Sequence, residues 1–194
     1  LRDGQQTQGV DFSAEDKRRI ARALDTLGID YIEGGWPGAN PTDSDFFREA
    51  PTLGRARLAA FGMTRRAGRS AANDEVLAEV VNAGTPVVCL VGKTHDFHVS
   101  TALGITLEDN LDSIRDSVAR IRDLGREAIF DAEHFFDGWK ANPTYAMECL
   151  AAAHEAGARW IVLCDTNGGT MPGEIGGITA EVCARIPGSH VGIH

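Results

Sequence analysis

The stretch EAIFDAE, residues 127–133, is apolar over most of its length and has charged residues near its end. A nearly continuous apolar run, unlike an alternating one, predicts a strand of a parallel sheet whose two faces are both covered. Other stretches show the same pattern: IDYIEGG (29–35), ARLAAFG (56–62), TPVVCLVGK (85–93), RWIVLCDT (159–166) and HVGIH (190–194). The sequence therefore predicts a series of buried parallel strands.

Amphipathic segments with recognisable ends separate these strands. Two of them begin with a hydroxyl residue followed three positions later by an acid, which is a capping box: Ser13 with Asp16, and Thr106 with Asp109. Another begins with Asn142 as the cap and Pro143 at the first helical position, and Gly157 ends it. We expect a further helix from Pro172 and shorter ones over 42–50 and 73–83.

The spacing of the strands favours one architecture. Each strand with its following helix takes about 30 to 40 residues, the repeat of a (β/α)8 TIM barrel. LRDG, residues 1–4, would then be the end of a first strand, and GIH, residues 192–194, the end of a seventh. We predict an α/β fold, an incomplete barrel from the end of strand 1 to the end of strand 7. An open doubly wound sheet is disfavoured because no GxGxxG turn follows a strand.

This prediction also fixes the domain organisation that we expect. Residues 1–194 would form one partial barrel that lacks its C-terminal part. Because Leu1 is not a translation start, we expect that residues preceding it are missing.

Composition excludes some classes of protein. A net charge of −9 argues against a nucleic-acid partner, since such proteins neutralise phosphates with clustered Lys and Arg. No apolar run approaches the length of a membrane span, so we expect no membrane partner. The 4 cysteines show no CxxC spacing, which favours reduced thiols and a cytoplasmic location.

Ionisable residues concentrate where the predicted strands end. They are Arg2 and Asp3, Glu33, Arg65 and Arg66, Lys93 with His95 and His98, Asp131 and Glu133, Asp165, and His194. Functional side chains of a TIM barrel gather at the carboxyl ends of its strands. Carboxylates and imidazoles from different strands suit a divalent cation. The pattern therefore predicts an active site that contains a metal.

The motifs at these ends resemble a known family. LRDGxQ, YIEGGWPGANP, FDAEHFFDGWKANP, VLCDTNGGTMP and GIH, in this order, resemble the 2-isopropylmalate/homocitrate/citramalate synthase family of metal-dependent TIM barrels. That family is related to 3-hydroxy-3-methylglutaryl-CoA lyase. The motifs of this chain look most like those of the citramalate synthase branch of the family. The resemblance covers essentially the whole chain.

The resemblance implies a role for individual residues. It implies a divalent metal (Mg, Mn or Zn) on Asp3 and His194, with the remaining ligands beyond residue 194. It implies two catalytic residues: Arg2, which would stabilise charge on a keto oxygen, and Glu133, which would serve proton transfer. The implied substrate-binding residues are Thr166, facing the keto acid carboxylate, and Gln6, Glu33 and His98.

The implied reaction is acyl transfer. Acetyl-CoA would condense with a 2-keto acid, pyruvate in the citramalate case, and the thioester would then be hydrolysed, as a step of isoleucine and other branched-chain amino acid biosynthesis. Family members are usually homodimers with a C-terminal regulatory region, so the resemblance implies that residues 1–194 are a partial catalytic barrel without any regulatory domain. The alternatives are another keto acid, as in 2-isopropylmalate or homocitrate synthase, a C–C lyase, or, in a different class, an inactive barrel fragment.

Two residues beside the implied catalytic acid stay open. Asp131 stands where other members of the family have Tyr, two residues before Glu133, so its role is not assigned. His134 is followed by Phe135 and Phe136, which favour a packing role over a functional one. The catalytic base would be Glu133 or a water associated with it.

Overall fold

The computed structural model describes residues 1–186 and 190–194. Its helices are α1 (Arg2–Gln5), α2 (Ala14–Leu27), α3 (Pro41–Arg48), α4 (Glu75–Asn82), α5 (Asp96–His98), α6 (Leu107–Asp123), α7 (Phe135–Ala141), α8 (Pro143–Ala156) and α9 (Pro172–Arg185). A π-helical turn, Val99–Leu103, follows α5. The strands are β1 (Tyr31–Gly35), β2 (Arg57–Met63), β3 (Val87–Lys93), β4 (Glu127–Glu133), β5 (Trp160–Leu163) and β6 (His190–Ile193).

The strands follow one another in the sheet in chain order, from β1 to β6. β1 pairs with β2 in parallel, β4 pairs with β5 in parallel, and β5 pairs with β6 in parallel. A helix lies between each strand and the next, which is the β–α succession that a barrel requires. The strands predicted from residue 29 onward are therefore present, and β4 has the predicted bounds.

The segment LRDG differs from the prediction. Residues 2–5 form the short helix α1 rather than the end of a strand. The Gln5 amide donates to the carbonyl of Leu1, and the Gln6 amide donates to the carbonyl of Asp3. These local bonds use the backbone groups that a strand would offer to its neighbour.

The predicted helix ends are confirmed. Ser13 and Thr106 each accept from the amide three residues on, within a capping box. Asn142 caps α8, and Gly157 ends it in the left-handed conformation. The sequence patterns did not predict α5 or α7, which are short helices directly after β3 and β4.

The chain divides into two compact units. The first comprises Leu1–Gly62 and Glu75–Cys89, and the second comprises Met63–Asp74 and Leu90–His194. The core of the first unit includes the buried side chains of Ile32, Phe46, Leu58 and Leu77. That of the second includes Ile114, Val118, Phe130, Leu150 and Ile161.

The cysteines agree with the expectation of reduced thiols. Cys89, Cys149 and Cys164 are buried, Cys183 is exposed, and within the described residues none of them is in a disulfide. Burial raises the pKa of Cys149 to about 12. In the part of the chain that the structure describes, no helix has the length and apolarity needed to cross a membrane.

Helix α7 lies close to the segment that follows β3, within the second unit. A Cβ atom on Gly138 would stand 2.5 Å from the carbonyl oxygen of Thr94 and 3.0 Å from the Cα of His95. Both obstacles are backbone atoms, which cannot move aside as a flexible side chain can. Only glycine therefore allows this approach.

We expect Gly138→Ala to lower the free energy of unfolding by about 1–3 kcal/mol, because the methyl group overpacks this contact. Urea unfolding of the chain, followed by circular dichroism, measures the change. Gly177→Ala in α9 is the matched control, since a Cβ there meets nothing within 4 Å. This control should gain about 0.5–1 kcal/mol from helix propensity. Equal stability of the two variants would contradict the prediction.

Candidate active site

Arg2 and Glu33 form the centre of the polar cluster in the first unit. The Arg2 Nε donates to Glu33 Oε2 at 2.7 Å, and its Nη1 donates to Gln6 Oε1 at 3.3 Å. The guanidinium also lies over the ring of Phe61, 3.9 Å from its centroid. Burial alone would lower the pKa of Arg2, but the charge of Glu33 and its hydrogen bond outweigh burial and raise it. The structure thus brings Arg2, Gln6 and Glu33 together.

Cys89 lies beside this cluster. Its Sγ and a carboxylate oxygen of Glu33 are within 4.8 Å of each other. The thiol is buried at the middle of β3. The sequence analysis predicted only that the cysteines are reduced, because a cysteine inside an apolar strand carries no signal of a polar neighbour.

The two residues implied as metal ligands lie in different units. Asp3 is in α1, and its side chain is 60% exposed with Oδ1 3.6 Å from Arg2 Nη1. His194 follows β6 and is exposed; its amide donates to the Leu163 carbonyl, and its own carbonyl accepts from the Asp165 amide. A carboxylate and an imidazole are donors that Mn²⁺ or Zn²⁺ accepts, and Mg²⁺ favours the carboxylate. The donor types therefore fit a divalent metal, and the shared site stays a prediction.

A buried ion pair supports the same segment of the first unit. Lys17 is fully buried in α2, and its ammonium donates to Asp43 Oδ1 and, at 2.8 Å, to Gln5 Oε1. Asp43 Oδ2 accepts from the Trp36 amide at 2.8 Å. A Cβ on Gly35 would stand 2.5 Å from Asp43 Cγ, so the loop after β1 packs directly on this carboxylate. Lys17 thus connects α1 to the loop that follows Glu33.

The sequence analysis missed the Lys17–Asp43 pair. Lys17 stands among other charged residues in the polar run EDKRR, residues 15–19, and nothing there distinguishes a buried lysine from exposed ones. Asp43 is only one of several acids in its segment. The pair could be found only from the packing of α2 against α3.

Glu133 lies at the carboxyl end of β4 in the second unit. Its Oε2 is 2.5 Å from Lys93 Nζ, and Lys93 is the last residue of β3. The Glu133 side chain is 25% exposed, so the carboxylate is partly accessible. Asp131, two residues earlier, is buried, and its role stays open.

Thr166 follows β5 and faces the same end of the second unit. Its Oγ1 accepts a hydrogen bond from the His134 amide at 2.8 Å. The preceding Asp165 is used locally, since its carboxylate accepts from the amide and the hydroxyl of Thr170. Thr166 is exposed. Glu133 and Thr166 are therefore linked through the single residue His134.

His98 belongs to a cluster of imidazoles. Its ring lies 4.3 Å from that of His134, edge to face, and 4.9 Å from that of His95. Burial lowers the pKa of His98, and the neighbouring His134, His95 and Lys93 lower it further. The Nδ1 atoms of His98 and His134 are buried without a hydrogen-bond partner. An open pocket of about 420 Å³ is lined by His95, His98, Asp137, Lys140, Ala141 and Asn167.

The fold and these clusters define an α/β chain of the barrel type, with its polar groups at the carboxyl ends of parallel strands. The family model described as HMGL-like matches residues 1–194. The chain belongs to the HMGL-like family.

The relatives that this chain matches include citramalate synthases and 2-isopropylmalate synthases. The chain is 53% identical over 196 residues to an (R)-citramalate synthase of Aquifex aeolicus, covering 100% of this chain and 37% of that protein. It is 48% identical over 197 residues to an (R)-citramalate synthase of Streptomyces coelicolor, with the same coverage. A 2-isopropylmalate synthase of Pelotomaculum thermopropionicum is 33% identical over 192 residues, covering 97% of this chain and 36% of that protein. The chain spans little more than a third of the length of these relatives.

Solved structures agree on the fold. An HMG-CoA lyase of Bacillus subtilis superposes with a TM-score of 0.80 at 17% identity, over 100% of this chain and 65% of that one. An HMG-CoA lyase of Acinetobacter baumannii, in complex with coenzyme A and 3-methylmalate, gives 0.77 at 15% identity, over 100% of this chain and 63% of that one. The predicted incomplete barrel and the predicted family are confirmed.

We expect Lys17→Met to lower the free energy of unfolding by about 3–5 kcal/mol, because it leaves the Asp43 carboxylate buried without its counter-charge. Adding Asp43→Asn should restore part of this loss, since the double variant buries no unpaired charge. Chemical denaturation of the chain measures both changes.

The matched control for this pair is Arg48→Met, which breaks the exposed ion pair with Asp45. It should change the stability by less than about 1 kcal/mol. If Lys17→Met cost no more than this control, the pair would not hold the segment as described.

Proposed function

We propose that the chain is part of the catalytic barrel of an enzyme that condenses acetyl-CoA with pyruvate to give citramalate. The observation that carries the proposal is the identity of 47% to 53% with several proteins named (R)-citramalate synthase, each covering 94% or more of this chain. The 2-isopropylmalate synthases are more distant, at 29% to 33%. Pyruvate is therefore the keto acid that we favour.

Arg2 would stabilise the negative charge that develops on the keto oxygen of pyruvate. Glu33 and Phe61 hold its guanidinium in one plane, and its five N–H donors exceed those used by Glu33 and Gln6. A donor that is already oriented pays no reorganisation cost as charge develops. In this role Glu33 and Gln6 orient the arginine that meets the substrate.

A divalent metal would be held by Asp3 and His194, whose donor types fit such an ion. When bound, it would supply a Lewis acid for the keto acid. Mg²⁺, Mn²⁺ and Zn²⁺ are the ions that this pair of donors suits.

Glu133 would act as the base for the acetyl methyl group. Its carboxylate takes one proton from the methyl carbon, and the electron pair left behind forms a bond to C2 of pyruvate. The keto oxygen then gains a proton and becomes the hydroxyl of citramalyl-CoA, and water hydrolyses the thioester to release the CoA thiol. Lys93 holds the Glu133 carboxylate at 2.5 Å, and Thr166 would bind the pyruvate carboxylate. His98 would contact substrate from the adjoining pocket.

The proposal carries further expectations for the full-length protein. The reaction would serve isoleucine synthesis within branched-chain amino acid biosynthesis, in the cytoplasm. We expect a homodimer with small-molecule substrates, without a nucleic-acid or membrane partner. The free thiols and the net charge of −9 support these expectations.

Release of CoA thiol by the full-length protein tests the substrate. We expect release from acetyl-CoA with pyruvate, and turnover at least about tenfold slower with 2-ketoisovalerate or 2-ketoglutarate, because the pocket must accommodate a larger side chain. Reactions without keto acid correct for simple hydrolysis, and chelation of divalent metal should abolish the condensation. Preference for 2-ketoisovalerate, or cleavage of 3-hydroxy-3-methylglutaryl-CoA in place of condensation, would overturn the proposal.

We expect Arg2→Lys to lower kcat about 100- to 1,000-fold, because an ammonium cannot donate to Glu33 and to the keto oxygen in the same plane. The thermal melt should stay close to that of the wild type. Arg19→Lys, at an exposed position of α2, is the control and should keep its activity. Turnover near the wild-type rate by Arg2→Lys would reject the role of Arg2.

A further inference from the structure

His134 has an unusual backbone conformation, with φ 57° and ψ 33°. In the described ranges it is the one residue other than glycine with a positive φ. This left-handed region brings the Cβ of an L-residue too close to its own backbone, so the surrounding structure must stabilise it. Strain of this kind tends to occur at functional sites, and His134 directly follows Glu133.

The peptide group between Glu133 and His134 is held from both sides. Its carbonyl oxygen accepts from the amide of Thr94 at 3.2 Å and from the Thr94 hydroxyl at 2.8 Å. Its N–H donates to Thr166 Oγ1 at 2.8 Å. Because a peptide group is planar, these bonds together fix its orientation.

Because this peptide plane is fixed, the positive φ of His134 sets the direction in which the chain enters α7. Helix α7 begins at the next residue, Phe135, whose amide donates to the carbonyl of Cys164 at 3.1 Å. With an ordinary negative φ, either α7 or the peptide plane would have to rotate. Rotation of the plane would take the His134 N–H away from Thr166.

The hydrogen bond from His134 determines what the Thr166 hydroxyl can do. A hydroxyl has one O–H donor and two acceptor positions. Since the His134 N–H occupies an acceptor position, the Thr166 O–H points away from His134. Thr166 is exposed, so this O–H is accessible and can donate to the carboxylate of a bound ligand.

The His134 ring stabilises the strained backbone. It packs edge to face on His98, with 4.3 Å between centroids, and its Nδ1 lies 3.6 Å from Asp137 Oδ2. Asn167 Nδ2 donates to the same Asp137 oxygen at 2.7 Å. The side chain is only 16% exposed. These contacts give a physical reason for a histidine at a position where glycine is the usual choice.

We infer that His134 is a positioning residue for the keto acid: its left-handed backbone places its N–H on Thr166 Oγ1 and so aims the Thr166 O–H at the substrate carboxylate. The inference rests on the proposed function, in which Thr166 binds that carboxylate. His134 acts through Thr166 and does not itself touch the reacting atoms.

Two substitutions in the full-length protein distinguish the role of the His134 backbone from the role of its ring. Asn adopts the left-handed region readily, whereas a β-branched residue does so at a high cost. We expect His134→Val to raise KM for pyruvate about tenfold or more, with KM for acetyl-CoA changed less than about twofold. His134→Asn should keep KM for pyruvate within about threefold of the wild type. His154→Val in α8 is the control for replacing a histidine and should leave both constants unchanged.

A double-mutant cycle with Thr166→Val tests the route of the effect. If His134 acts through Thr166, His134→Val should raise KM for pyruvate no further in the Thr166→Val background. A general loss of structure would instead multiply the two effects and would change both KM values. Thermal melts identify variants that do not fold. If His134→Val does not fold, His134→Ala is used in its place.

The inference is overturned if His134→Val keeps the wild-type KM for pyruvate, or if the two effects multiply in the double variant. It is also overturned if His134→Asn is as impaired as His134→Val, since the ring would then be the functional part. If the wild-type protein did not condense acetyl-CoA with any of the keto acids tested, the proposed function would be overturned instead.

Discussion

Burial of both strand faces is the constraint on which the placement of the polar groups depends. The interior of β2, from Leu58 to Gly62, is buried at every position, and β3 is buried from Val87 to Leu90. Burying a charged side chain at such positions costs free energy unless a partner is buried with it. Glu133 and Lys93 therefore stand at the last positions of their strands, where a side chain can reach partial exposure.

The charges that remain at these ends are already paired with one another. Arg2 is held by Glu33 in the first unit, and Glu133 is held by Lys93 in the second. Pairing stabilises the charged forms and restricts the side chains to one orientation, which is what electrostatic catalysis needs. Both partners of the Lys17–Asp43 pair are buried, and Asp43 accepts from the Trp36 amide in the loop that follows Glu33.

The sequence predicted the strands and the helix ends well, because these follow from local patterns. Continuous apolar runs predicted β4 with its observed bounds, and capping residues predicted the starts of α2 and α6. The short helix α7 was missed, since FFDGWKA has no amphipathic repeat and its packing depends on Gly138. The LRDG segment was predicted as the end of a strand. It forms a helix instead, and from that helix Arg2 donates to Glu33, a contact that the sequence did not predict.

The sequence by itself determined the family and the succession of strands and helices, because ordered motifs stand at the ends of successive apolar runs. The residues to which it assigns the chemistry stay predictions. Only the tertiary structure decided how those side chains are held. Lys17 and His134 gave no recognisable signal, since an ammonium in a polar run and a histidine before two phenylalanines are common patterns. Their significance lies in contacts with residues distant in sequence. Lys17 contacts Asp43, and His134 contacts Thr166, which is 32 residues away in the chain. Such contacts arise only when the packing of the elements brings these residues together.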